Sequence, residues 1–214
     1  MARFASVVLD ADSTLAGIEG IDWLAERRGA AVATESATLT AEAMDGVRPI
    51  ESVYVARLEQ VRPSREMVAA LGAAYIRAIA PGAIECVAAL RAADVRVVIV
   101  SGGLRQALLP LARQLGIPAA DVHAVEITFD DAGEYDGLAG AQPLATQAGK
   151  GEVVRGLALP SPALAVGDGA TDAALLPDVA TFAAYVGFVR RANVVAAAAH
   201  VLNSFDELRA LVLP

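Results

Sequence analysis

Three short aliphatic runs set the frame: Ser6-Val7-Val8-Leu9, Val95-Arg96-Val97-Val98-Ile99-Val100 and Ala163-Leu164-Ala165-Val166. None alternates apolar with polar as a strand with one wet face would, so each reads as a strand buried on both faces. A fourth run, Val179-Ala180-Thr181-Phe182, extends the pattern. Stretches with helical spacing lie between them. One runs from Gly82 to Ala93, opening after Pro81 and closing before Asp94. Another runs from Leu104 to Leu115 and closes at Gly116 and Pro118. Doubly buried strands alternating with helices predict an α/β chain built on a Rossmann-like parallel sheet. Asp130 to Tyr135 reads as a hairpin turn within that frame.

One segment breaks the alternation. From Gly17 to Ala78 there is no strand run but a succession of helical patterns, Ile18–Arg28, Ala33–Asp45, Ile50–Gln60 and Ser64–Ile79. Pro49 and Pro63 fall near helix starts, where proline is tolerated. The expected organisation is a core of residues 1–16 and 79–214, with residues 17–78 forming a small helical cap inserted after the first strand.

Composition narrows the function classes. The 214 residues are 56% apolar and 20% charged, too apolar for disorder. A net charge of −8 argues against nucleic-acid binding, which depends on lysine and arginine neutralising phosphates. The single cysteine, Cys86, excludes an intrachain disulfide. No apolar run approaches the roughly 20 residues of a membrane span. The expectation is a soluble cytoplasmic protein, monomer or homodimer, with a small-molecule partner and neither nucleic acid nor membrane.

Four clusters carry chemistry. Asp10-Ala11-Asp12-Ser13-Thr14 follows the first strand, and ligands of parallel sheets bind at strand C-termini. Its carboxylates suit a hard cation or attack on a phosphoryl group, though an Asp/Ser/Thr loop also caps helices. Ser101-Gly102-Gly103 follows the second strand. It suits close backbone approach to a phosphate, and equally a strand-to-helix turn with a serine cap. Gly149-Lys150-Gly151 opens a helical run and holds the only lysine of the chain. A lysine at a helix start opposes the helix dipole unless it meets an anion. The last cluster, Gly167-Asp168-Gly169-Ala170-Thr171-Asp172, adds two carboxylates at a third strand end. Each alone has a bland reading as a turn or a solvated charge. Together they supply a carboxylate nucleophile, a cation site, a phosphate-binding hydroxyl and an ammonium.

These clusters, in this order, resemble the four motifs of the haloacid dehalogenase superfamily, and more closely the phosphoserine phosphatase family within it. Glu19-Gly20-Ile21-Asp22, Ala43-Met44, Pro63-Ser64-Arg65-Glu66, Gly133-Glu134-Tyr135 and Gly149-Lys150-Gly151 match as well, so the likeness spans nearly the whole chain. The resemblance implies Mg²⁺-dependent hydrolysis of O-phospho-L-serine through an aspartyl-phosphate, the last step of serine biosynthesis. It implies Asp10 as nucleophile and Asp12 as general acid and base. It implies a metal held by Asp10, the Asp12 backbone carbonyl and Asp168. Ser101 and Lys150 would bind the phosphoryl group, Thr171 would help place it, and Asp172 would support Lys150 and the metal's water shell. Glu19 would take the serine ammonium, Arg57 the carboxylate, Met44 the lid, and the Gly102 and Gly103 backbone would contact substrate. Two positions depart from the pattern: Ile50 stands where a cap phenylalanine is usual, and Asp45 where glycine is common. They leave open another small phosphomonoester, or phosphoryl transfer to an acceptor such as homoserine. A phospho-aspartate receiver module would share the acidic residues and lysine but not the helical insertion.

Overall fold

The computed structural model describes residues 2–45, 47–49, 51 and 53–214, with the Met44 side chain outside that set. Ile50, one of the two departures from the family pattern, lies outside the described residues. Six strands form one parallel sheet: β1 (Ser6–Leu9), β2 (Arg96–Leu104), β3 (Val122–Val125), β6 (Ala163–Gly167), β7 (Thr181–Tyr185) and β8 (His200–Leu202). Their order is β3-β2-β1-β6-β7-β8. The three runs without alternation are the three central strands, and β1 and β6 are buried throughout. A separate antiparallel pair, β4 (Ile127–Phe129) and β5 (Tyr135–Leu138), closes through the expected Asp130–Tyr135 turn, where Gly133 takes φ +85°.

Register explains why the clusters meet. Leu9 pairs with Ile99 on one side and with Val166 on the other. The three strands are therefore in register where β1 ends, and the polar residues that follow Leu9, Val100 and Gly167 emerge at one edge. The chain winds outward from β1 to β3 and then restarts beside β1 at β6. The crevice lies at that reversal, where open parallel sheets bind ligands.

Two expectations shift. The strand before Ser101 does not stop at Val100 but continues to Leu104, so Ser101-Gly102-Gly103 belongs to β2 and α6 (Arg105–Gln114) starts after it. The fourth strand runs over Thr181–Tyr185, because Ala180 N–H turns to the Ala163 carbonyl at 2.9 Å and sets the start of pairing there.

Four helices stand between β1 and α5 (Ala83–Ala92): α1 (Gly20–Glu26), α2 (Ala30–Met44), α3 (Tyr54–Val61) and α4 (Arg65–Arg77). Ser64 caps α4, accepting from Met67 N–H at 3.3 Å. α4 packs along α6 of the core, with Gly72 against the Ala107 carbonyl. α2 is mostly exposed; the positions it buries, Ser36, Thr40 and Ala43, recur at helical spacing, and two of them are hydroxyls. The chain leaves and re-enters the core at one place. Ala16 and Ile79 form an antiparallel bridge, Gly17 N–H donates to the Ala78 carbonyl at 2.9 Å, and Ala80 N–H to the Leu15 carbonyl at 2.9 Å. The remaining helices are α7 (Gly149–Gly156), the four-residue α8 (Ala170–Ala173), α9 (Ala192–Ala197) and α10 (Phe205–Val212). Among the described residues no helix is long and apolar enough to cross a membrane.

Candidate active site

One cavity between the strand ends and the cap is lined by Asp10, Asp12, Glu19, Arg57, Ser101, Gly102, Gly103, Lys150, Asp168 and Thr171. Residues from five separate stretches of the chain thus converge. Asp172 stands just behind the lining, and the Met44 side chain lies outside the described residues.

At the core end charge is unbalanced. Lys150 Nζ lies 3.0 Å from Asp10 Oδ1 and 2.6 Å from Asp172 Oδ1, and all three side chains are buried. The helix-start lysine is therefore an ion-pair partner and not a solvated charge. Burial alone would lower its pKa, but Asp10 and Asp172 reverse that and raise it, so it stays an ammonium. Gly149 lets α7 approach: a Cβ there would collide with the Pro143 carbonyl. Asp172 also accepts from Gly169 N–H at 3.1 Å, which fixes it across the start of α8.

Asp10, Asp168 and Asp172 place carboxylate oxygens within 4.8 Å of one another. Burial, then the charges of Asp10 and Asp172, push Asp168 up to about 8. Burial and Asp10 push Asp172 up to about 7 against the pull of Lys150. Asp168 Oδ1 takes a long bond of 3.4 Å from Thr14, while the buried Oδ2 has no hydrogen-bond partner among the described residues. A buried carboxylate oxygen that makes no hydrogen bond and has only the Arg191 guanidinium 3.4 Å away, set among hard oxygen donors with excess negative charge, fits a divalent cation of the Mg²⁺ or Mn²⁺ type. The Asp12 side chain is not part of this group. Its Oδ1 accepts from the Tyr75 hydroxyl and its Oδ2 from Gly20 N–H at 3.1 Å. Burial and the Asp10 charge raise Asp12 to about 6, with the Tyr75 bond pulling the other way.

The cap end is ordered differently. Arg57 is buried and held by three partners: Nη2 lies 2.8 Å from Asp22 Oδ1 and 2.5 Å from Thr40 Oγ1, and Nε lies 3.2 Å from Ser36 Oγ. Ser36 and Thr40 also donate to Asp22 Oδ1, at 2.5 and 3.0 Å. The hydroxyl stripe of α2 is thus the seat of a guanidinium. Glu19 Oε1 accepts from Ser13 Oγ at 2.6 Å. Its acidity is weakened by burial and by Asp12 and Asp168, which holds its pKa well above the ordinary value.

Other residues join the site without a local signature in the sequence. Tyr54 donates to the Gly102 carbonyl at 2.5 Å, and with Thr40, Leu144 and Thr146 lines the cavity. Arg191, just before α9, lies 3.4 Å from Asp168 Oδ2, 3.6 Å from Asp45 and 4.0 Å from Glu19. Asn193 beside it donates to the Asp45 carbonyl at 2.6 Å, so this core loop touches both the carboxylates and the end of α2. The departure at Asp45 therefore has a partner. Ser101 Oγ accepts from Gly103 N–H at 3.1 Å, and its hydroxyl proton remains available to a phosphate oxygen.

The haloacid dehalogenase-like hydrolase family matches residues 7–177 of the chain. A phosphoserine phosphatase of Bos taurus is 36% identical over 206 residues, which is 95% of this chain and 91% of the relative. Among solved structures, a phosphoserine phosphohydrolase-like protein of Francisella tularensis superposes with a TM-score of 0.89 at 25% identity, covering 97% of this chain and 99% of that one. A phospho-aspartyl intermediate analogue of phosphoserine phosphatase superposes with a TM-score of 0.80 at 24% identity, covering 97% and 98%, a likeness of fold.

Proposed function

The chain belongs to the haloacid dehalogenase-like hydrolases, and on that premise we propose that it is an Mg²⁺-dependent phosphoserine phosphatase. It hydrolyses O-phospho-L-serine to L-serine and phosphate, as the last step of serine formation in the cytoplasm. The observation that carries this reading is the two-ended cavity. Asp10 beside Lys150 stands at one end, and Glu19 and Arg57 offer opposite charges at the other. A phosphomonoester whose alcohol is an amino acid presents the complementary set. The named relatives, at 36% identity over nearly the full chain, point the same way.

The chemistry follows from the residues. Asp10 Oδ attacks phosphorus and forms an aspartyl-phosphate, splitting hydrolysis into two displacements. Lys150, the Ser101 hydroxyl and Thr171 hold the phosphoryl oxygens as charge spreads over them. Asp12, protonated at the outset, gives its proton to the departing serine oxygen. The resulting carboxylate then takes a proton from the water that attacks the aspartyl-phosphate. Asp10, Asp168 and the Asp12 backbone carbonyl would hold Mg²⁺, with Asp172 behind Lys150. When bound, the cation neutralises the repulsion between nucleophile and phosphate dianion. At the far end Arg57 binds the substrate carboxylate with its geometry already set. Burial weakens the acidity of Glu19, and the substrate ammonium beside it favours the carboxylate form. Residues 17–78 act as the cap that sets specificity and shuts out water.

Steady-state phosphate release from L-phosphoserine tests the proposal, with and without EDTA and against a phosphomonoester panel, with homoserine as an added acceptor. The expected result is EDTA-sensitive release that is fastest for phosphoserine and indifferent to homoserine. Faster turnover of another ester, or phosphoryl transfer to homoserine, overturns the substrate assignment.

A further inference from the structure

The group that must deliver a proton, Asp12, is held by a residue that belongs to none of the motifs. We infer that Tyr75 is a positioning residue for the proton-transfer step, setting the orientation of the Asp12 carboxyl toward the leaving oxygen. The inference rests on the reading of Asp12 as general acid and base.

Tyr75 is wholly buried and comes from α4, 63 residues away in sequence. Its hydroxyl donates to Asp12 Oδ1 while Gly20 N–H donates to Oδ2 from the opposite element. A carboxylate held at both oxygens cannot rotate, and each oxygen keeps a second lone pair. Asp12 lines the cavity, so those lone pairs are where a proton is exchanged with bound substrate. Proton transfer needs such placement to within a fraction of an ångström.

The surroundings are shaped to admit this hydroxyl. A Cβ on Gly20 would collide with Tyr75 Oη, and one on Gly103 would stand 3.3 Å from it. Both glycines therefore clear a path from α4 to Asp12. α4 is seated on α6 of the core, so the donor travels with the sheet that carries Asp12.

The test uses leaving groups that differ in their need for a proton. Serine leaves as an alkoxide unless protonated, whereas p-nitrophenolate leaves unaided. For Tyr75→Phe we expect kcat/KM on phosphoserine, which reports the first and acid-assisted displacement, to fall about 10-fold or more, while kcat/KM on p-nitrophenyl phosphate stays within about 2-fold of the parent. In an Asp12→Ala background the same change should add no further loss on phosphoserine. Equal losses on both substrates, an unchanged phosphoserine rate, or additive losses overturn the inference. If Tyr75→Phe does not fold, Tyr75→Leu, which also removes the hydroxyl, carries the same expectation. If the parent proves slow on phosphoserine but fast on another alkyl phosphate, the substrate assignment fails. The comparison is then run on that ester and still decides the role of Tyr75.

Discussion

The two ends of the cavity solve opposite electrostatic problems. At the cap end one guanidinium is held through Nε and Nη2 by a carboxylate and two hydroxyls before any substrate arrives. At the core end Asp10, Asp168 and Asp172 crowd together against the Lys150 ammonium, and the Asp168 oxygen that makes no hydrogen bond among the described residues meets only the Arg191 guanidinium, 3.4 Å away. The first is a preorganised receptor, whose geometry costs nothing to assemble at the moment of binding. The second carries uncompensated negative charge that only a cation and its ligands relieve. Under the proposed function, recognition is thus built into the chain, while the catalytic end is completed from outside.

The largest effect that tests this contrast is at the nucleophile. Asp10→Asn should lower phosphate release at least about 10³-fold, because an amide of the same shape cannot attack phosphorus. It should also raise the metal-free melting temperature by removing one of the crowded charges. Loss of activity with a lowered melting temperature would show that the core end is not under electrostatic load. At the other end Arg57→Ala should cost about 30- to 100-fold in kcat/KM on phosphoserine, the worth of a charge-assisted contact of about 2–3 kcal/mol. On phosphoethanolamine, which has no carboxylate, the loss should stay within about 3-fold. Equal losses on the two would remove Arg57 from carboxylate recognition.

A smaller effect separates preorganisation from mere charge. Asp22→Asn leaves Arg57 in place but loosens its seat, so KM for phosphoserine should rise about 5-fold with kcat nearly unchanged. A drop in kcat with constant KM would contradict the division of labour. Smallest is a pH effect on the metal-free protein. Asp12, Asp172 and Asp168 bind protons more tightly folded than at the ordinary value of 3.8, with values near 6, 7 and 8. Their contribution to stability is therefore full below about pH 4 and is lost as pH climbs through 6 to 8. The melting temperature of the metal-free chain should fall by a few degrees, about 2–4 °C, over that window. Saturating Mg²⁺, which binds the ionised carboxylates, should flatten the slope. A metal-free protein more stable at pH 8 than at pH 6 would deny the charge excess.

Legibility in the sequence obeys the same division. β1, β2 and β6 are legible because burial on both faces leaves an unbroken aliphatic run. β3 and β8 are short edge strands, one interrupted by His123 and the other opening on His200, and they leave no such trace. α10 carries a weaker mark: Ser204 with Glu207 three residues on, where the serine accepts from Glu207 N–H at 3.2 Å. The core-end residues are legible because each sits directly past a strand or at a helix start, where carboxylates and glycines stand out. Asp22 stands only within the matched Glu19–Asp22 stretch and has no role of its own there. Tyr75 and Arg191 read as a core aromatic and a solvated charge. Their partners lie 63 and 23 residues away, and only the folded chain supplies them.

Entry and exit of the helical insertion meet at a single backbone ladder, Leu15–Gly17 against Ala78–Ala80. Recombination at those two points would exchange every insertion residue of the recognition end in one event and leave Asp10, Lys150 and Asp168 untouched. The α4 face on α6 and the Tyr75 hydroxyl it carries would have to be matched, together with the contacts of Gly20 with Asp12, Tyr54 with Gly102 and Asp45 with Asn193. Substrate range in such a scaffold can therefore diversify by cassette, faster than by point substitution and without putting the reactive centre at risk.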